Sequence, residues 1–195
     1  NGNLQKAFSI QINSVKKCAS EGLPLFVILP GNNTTKRKIR LGWVEDFDDN
    51  SEQFLIRFGD SQPKPSQSQE QEFTTKEKRK KKSREVEVRS NNQSKFRFNV
   101  LKRYGAKCAI CDVENKHMLD AAHIIPVDED GTDDPRNGLI LCKNHHAAFD
   151  RNLFTINPDC SIDSMNNNIN ISESSLNTAT GEMPHELAIS YRFEA

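Results

Sequence analysis

Two short knuckles, Cys108-x2-Cys111 and Cys142-x2-His145, constrain the folding of this 195-residue chain more than any other feature. Structural zinc takes four thiolate or imidazole ligands in a tetrahedron, and two tight turns that each present a pair are a common way to supply them. Cys108, Cys111, Cys142 and His145 would give three sulfurs and one nitrogen. A disulfide between Cys108 and Cys111 is the alternative. The N-terminus does not read as a secretory signal and no apolar run reaches membrane-spanning length, so the expected setting is the reducing cytoplasm, without membrane attachment. Zinc is therefore the expectation for the knuckles. Cys18 and Cys160 have no partner motif and read as ordinary thiols.

Between and after the knuckles the order is strand, loop, strand, helix. Met118-Leu119-Asp120-Ala121-Ala122-His123-Ile124-Ile125-Pro126 is apolar and β-branched and stops at a proline, which suits a strand with His123 at its end. The loop that follows, residues 127–136, holds Asp128, Glu129, Asp130, Gly131, Asp133, Asp134 and Pro135. That composition predicts a long surface excursion with no share in a core. It lacks the Asp-x-Asp-x-Asp-Gly series and terminal Glu of an EF-hand, so it is expected to be solvated or to form a flap near a metal. Asn137-Gly138 closes the loop as a turn, Leu139-Ile140-Leu141 reads as a second strand, and residues 144–150 read as the start of a helix.

With His123 in AAHIIP, Asn137 in RNGLILC and His146 in NHHAAFD, this order resembles the HNH endonuclease family, whose ββα-metal motif is named for a His, an Asn and a His. The likeness is closest to the branch found in bacterial restriction and antiphage nucleases, where a strand similar to Leu153-Phe154-Thr155-Ile156 often follows. It covers roughly residues 96–158, and no family is recognised in the first ninety residues. The resemblance implies an α+β, zinc-stapled ββα nuclease domain that cuts DNA with a divalent metal, in restriction or antiphage defence. One departure stands out. Many HNH enzymes carry an Asp or His, a metal ligand, immediately before the first His, where this chain has Ala122. The same alanine occurs in the restriction branch, so the resemblance implies altered ligation rather than lost activity.

The residues can also be judged by chemistry alone. Phosphodiester hydrolysis needs a base for water, a cation against the charge growing on phosphate, and stabilisation of the departing oxygen. His123, at a strand end open to water, suits the base. His146, in the first helical turn, can offer a ring nitrogen to a divalent ion. Asp150 follows four residues later on the same helical face and can be a second ligand. Nitrogen plus oxygen suits Mg²⁺, Mn²⁺ or another divalent ion, distinct from the zinc. Asp120 is the second choice as ligand, because three residues along a strand turns it to the face opposite His123. Asn137 is better suited to hold the loop through side-chain to backbone hydrogen bonds, and so orient His123, than to react. His145 completes the knuckle spacing. His146 then points about 100° further round the helix, away from zinc and towards His123. Exchange of the two is the alternative, and it would break the His146–Asp150 pairing. His117 and His185 fit neither site, and His117 is expected at the surface. A zinc module that only binds DNA and an RNA-cutting effector are the alternatives to a DNA endonuclease. One HNH centre cuts one strand per engagement, so double-strand cleavage would call for a homodimer.

The rest of the chain is less explicit. An apolar fraction of 35% against 28% charged residues argues for two small domains rather than one large core. Net charge is zero, so affinity for nucleic acid must come from local clusters. Residues 61–94 are Pro, Ser, Gln and Glu rich and then strongly basic, and read as a flexible linker whose Lys78, Arg79, Lys80, Lys81 and Lys82 would meet phosphates, or which only tethers. Ahead of it, strands over 25–29, 39–47 and 53–58, the last two joined by an Asp48-to-Ser51 hairpin signal, predict a small barrel-like or curled β module. Its Lys36, Arg37, Lys38 and Arg40, beside Trp43, form a basic edge for DNA, or the module is a folding support. Residues 4–18 fit a strand or an amphipathic helix. Residues 96–104 predict a helix whose Arg97, Lys102 and Arg103 could meet phosphates. The domain expected over 95–195 ends in a weakly packed, Asn- and Ser-rich extension with no assigned chemistry.

Overall fold

The computed structural model describes residues 2–31, 33, 35–63, 72–77, 85–164 and 171–194. The chain divides into two units, Asn1–Glu70 and Gln71–Ala195. The first opens with α1 (Gly2–Glu21), so residues 4–18, for which the sequence allows strand or helix, are helical. Strands β1 (Pro24–Pro30), β2 (Arg37–Asp48) and β3 (Gln53–Phe58) follow as an antiparallel sheet in that order. Pairing runs from Pro24 opposite Trp43 to Pro30 opposite Arg37, and a register shift between Val44 and Asp46 marks the β2–β3 ladder. The sheet stays open with β1 and β3 as edges, because three strands are too few to close on themselves; the barrel-like expectation is corrected. At the hairpin, an Asp48 carboxylate oxygen accepts from the Ser51 amide at 2.9 Å, the local bond that makes aspartate a turn residue. The core of this unit is thin. Val44 is buried, whereas Phe26, Ile28 and Ile39 are exposed.

Of the stretch 61–94 read as a linker, the described residues 72–77 and 85–94 belong to the second unit. Phe73 is buried, Lys76 forms a β-bridge with Gly131, and α2 (Glu85–Tyr104) begins inside the stretch, eleven residues ahead of the expected start at Phe96. One aromatic residue in a polar segment is enough to anchor it, and Glu and Arg near Glu85 extend the helix. Lys78 to Lys82 lie outside the described residues. The helix ends at Gly105, where φ of +76° lets its amide return to the Leu101 carbonyl at 2.9 Å. A Cβ at Gly105 would stand 2.8 Å from the Ala179 side chain, so the stop and the packing both call for glycine.

Strands β4 (Leu119–His123) and β5 (Gly138–Cys142) pair antiparallel from Leu119 opposite Cys142 to His123 opposite Gly138. All five residues of β5 are buried, since α2 and α3 (Lys143–Phe149) both pack on this hairpin. That cover accounts for the unbroken apolar run of Leu139, Ile140 and Leu141, where a half-exposed strand would alternate. Val100, Leu101 and Tyr104 of α2 complete the core with Phe149 and Phe154. A hairpin of β6 (Phe154–Ile156) and β7 (Ile162–Ser164) and the helix α4 (Glu186–Glu194) follow. The expectation of a weakly packed C-terminal extension is corrected as well. Leu176, Thr178, Ala188 and Ile189 are buried, and the Asn177 amide binds the Ala109 carbonyl at 2.9 Å. Burying a side chain like Leu176 contributes roughly 2 kcal/mol; such residues were too widely spaced in a polar sequence to signal a core. Among the described residues no helix is long and apolar enough to cross a membrane.

Candidate active site and metal centre

The two knuckles meet. Donor atoms of Cys108, Cys111, Cys142 and His145 all lie within 4.8 Å of one another. His145 Nδ1 is 3.3 Å from Cys142 Sγ and 3.5 Å from Cys108 Sγ, and the Cys111 and Cys142 sulfurs are 4.0 Å apart. A zinc ion at about 2.3 Å from sulfur and about 2.0 Å from nitrogen sets tetrahedral edges of roughly 3.5–3.8 Å, so spacing and donor type both fit zinc. The cysteines are free thiols, and the disulfide alternative gives way to this convergence on one imidazole. Burial works against a Cys108 thiolate, but the His145 ring and the Cys142 amide, which donates to Cys108 Sγ at 3.2 Å, outweigh it and bring that thiol down. Burial pushes the Cys111 thiol up. Cys18 and Cys160 lie apart from the cluster and are half-buried.

On the far end of the β4–β5 hairpin, Asn137 is fully buried. Its side-chain oxygen accepts from the Ile125 amide at 2.9 Å, and its nitrogen donates to the Ile125 carbonyl at 3.2 Å and the Thr132 carbonyl at 2.9 Å. One side chain thus ties the chain leaving β4 to the middle of the acidic loop. That loop is only in part the surface excursion expected. Residues 127–130 are exposed, but Gly131 and Thr132 are buried.

His123 ends β4 and lies flat on Phe96 of α2, with ring centroids 3.6 Å apart and an interplanar angle of 8°. Its Nε2 is 3.0 Å from Asp133 Oδ1. Asp133 carried no signal in the sequence beyond being one of several loop acids. His146 faces two carboxylates, Asp120 at 3.7 Å from Nδ1 and Asp150 at 3.6 Å from Nε2. These gaps exceed a good hydrogen bond and match the roughly 3–4 Å between neighbouring ligands of one ion. The carboxylates flank different nitrogens, so one ion can use one of them with the imidazole, and water or phosphate oxygens would fill the remaining positions as a hard cation allows. Among the described residues no hydrogen bond or ion pair joins His123 to His146; each histidine has its own acid.

Residues 108–157 match the HNH endonuclease family. This segment is an HNH domain. The match takes in His123, Asn137, His146, Asp150 and all four knuckle residues. A modification-dependent TagI restriction endonuclease of known structure is similar to the chain at 22% identity and a TM-score of 0.42, over 52% of this chain and 37% of that one. The chain therefore spans little more than a third of that protein's length. No curated protein matches it.

Around the HNH domain, two of the residues expected to meet phosphates have partners within the protein. Arg97 donates to the Lys116 carbonyl at 3.1 Å and sits 3.6 Å from Asp120, and Arg103 is 2.7 Å from Glu182 and 3.3 Å from the Met183 carbonyl. Helix residues that face the body of a domain are drawn to its acids before any ligand arrives. Lys102 is exposed, with its ammonium over the Phe98 ring. In the N-terminal unit, Lys36, Arg37, Lys38 and Arg40 are exposed along the start of β2. His117 is exposed, and His185 stacks on Phe73, so neither joins the site.

Proposed function

We propose that the chain is a divalent-metal-dependent DNA endonuclease of the restriction or antiphage kind, with His123 as general base and His146 with Asp150 as the holders of the catalytic ion. The observation that carries this reading is that the two histidines of the HNH segment have separate acidic partners: His123 with Asp133, His146 with Asp120 and Asp150. With Nε2 of His123 engaged, its Nδ1 has no hydrogen-bond partner among the described residues and is the nitrogen to take a proton from water. Asn137 holds the strand end and the loop in place around that ring. Asp120 lies 3.7 Å from Nδ1 of His146 and Asp150 3.6 Å from Nε2, so Nε2 and Asp150 would hold the ion while Asp120 would stand behind the ring, as a carboxylate behind a ligating histidine does. A bound divalent ion would supply positive charge against the phosphate oxygens as the bond breaks. The zinc ligands Cys108, Cys111, Cys142 and His145 hold the hairpin and helix together without reacting. Basic residues of β2 and Lys102 add sequence-independent attraction to DNA. Two chains would act together where both strands are cut. Three thiolates kept for a metal suit a reducing cytoplasm.

The test is nicking of supercoiled plasmid, unmodified and modified, with Mg²⁺, Mn²⁺ or no divalent ion, by the protein and by His123→Ala. Metal-dependent nicking lost in the variant, with zinc retained, supports the reading. Binding of plasmid without nicking would sink it in favour of a DNA-binding zinc module, and preferred cutting of RNA would replace the substrate.

A further inference from the structure

We infer that Asp133 is a positioning residue for the reaction, holding His123 through Nε2 so that Nδ1 alone meets the nucleophilic water; the inference rests on His123 being the base. Three observations converge on it. The contact is short, 3.0 Å from Nε2 to Oδ1, and the His123 side chain is only 14% exposed, so the ring has little freedom to turn. Phe96 lies flat against one side of the ring at 3.6 Å and fixes its plane, leaving rotation within that plane for Asp133 to restrain. Finally, the loop is built to deliver this carboxylate. Gly131 runs so close to the chain leaving β4 that a Cβ there would stand 2.0 Å from the Ile125 carbonyl oxygen, and its own amide binds the Pro126 carbonyl at 2.9 Å. Asn137 grips Thr132, the neighbour of Asp133, with the same amide group that grips Ile125. From the other side Gly131 pairs with Lys76, and the Glu77 amide binds the Asp130 carbonyl at 2.9 Å. A loop held on both flanks puts its acid at a fixed point.

The chemistry gives this contact a direction. A carboxylate on Nε2 keeps a proton there, so the neutral ring presents Nδ1 as an acceptor; as Nδ1 takes the proton from water, the carboxylate stabilises the imidazolium that forms. The effect is felt in the chemical step rather than in substrate binding. Asp133→Asn keeps shape and hydrogen bonding but removes the charge, and should lower kcat for plasmid nicking by about tenfold or more with KM unchanged. Asp133→Glu, which keeps the charge one methylene further out, should recover part of the loss. Both variants should hold zinc and melt like the parent; where Asp133→Asn does not, Asp133→Glu with intermediate kcat and intact zinc carries the test. An unchanged kcat in Asp133→Asn beside an inactive His123→Ala overturns the inference and leaves the base in place, as does a raised KM with normal kcat. Full activity in both Asp133→Asn and His123→Ala overturns the base assignment itself.

Discussion

Asn137 and Ile125 are joined by a reciprocal pair of hydrogen bonds, the Asn137 side chain accepting from the Ile125 amide at 2.9 Å and donating to its carbonyl at 3.2 Å. Because Ile125 lies two residues beyond His123, an amide side chain buried in the core sets where the strand end can go. Asn137→Ala would leave the Ile125 amide, its carbonyl and the Thr132 carbonyl short of partners in a dry region. Stability should fall by about 2–4 kcal/mol, read as a lowered denaturation midpoint, and nicking should fall with it. Asn137→Asp keeps the acceptor but loses the donor and places a carboxylate against two carbonyls. It should be at least as damaging, and a variant of near-parent stability would show that the loop is held by other means.

The neighbouring histidines should separate cleanly. His145→Ala removes the one nitrogen of the zinc set and should lose the metal, measured as zinc per chain, together with the near-UV signature of a packed domain. His146→Ala touches no zinc donor and should retain zinc and fold while losing metal-dependent nicking. Zinc loss in His146→Ala with retention in His145→Ala would reverse the assignment of the two residues.

The cluster of Cys108, Cys111, Cys142 and His145 was legible because ligand chemistry demands fixed residue types at fixed spacing, and the strand, loop, strand, helix order because apolar runs and turn residues alternate plainly between Leu119 and Phe149. Asn137 was legible as a loop-holding side chain for the same reason. Asp133 was not, since the loop offers five acids and only tertiary closure decides which one reaches His123. The same limit explains Phe73 and Leu176: isolated apolar residues among polar ones have no periodicity, so their burial depends on surfaces that other segments provide. Arg97 and Arg103 show a related limit: a charge pattern does not say which protein acid lies near a basic residue, and here Asp120 and Glu182 do.

Asp134 gives the HNH domain an acid-sensitive prop. Its half-buried carboxyl is pushed up by burial, but hydrogen bonds from the Arg136 guanidinium and amide outweigh that and hold it below its ordinary value of 3.8. A carboxyl depressed on folding stabilises fully above its unfolded pKa, and that contribution is lost as pH falls through the lower folded value. The difference in urea midpoint between the parent and Asp134→Asn should therefore be largest near neutral pH and shrink below about pH 4. A difference that stays constant across that range would mean that the pair acts by packing alone.

Phe73 is the apolar anchor of the segment that runs alongside the acidic loop. Its ring is stacked on His185 with centroids 4.1 Å apart and has the Arg136 guanidinium 5.2 Å from its centroid, and it is 7% exposed. Three residues on, Lys76 bridges Gly131, the residue that brings the loop close to β4. Phe73→Ala should cost about 3–4 kcal/mol through lost burial and the cavity left behind. The loop would then lose the partner on its outer flank while Asn137 still holds the inner one. Hydrogen exchange at the Gly131 amide, which bonds to the Pro126 carbonyl within the loop, should rise modestly, and that of the Glu77 amide, whose acceptor Asp130 lies in the loop, should rise strongly. Phe73→Leu, which keeps most of the apolar volume, should recover stability but not the stack on His185. Unchanged exchange at Glu77 in Phe73→Ala would show that the segment is held by its backbone pairing and not by the ring.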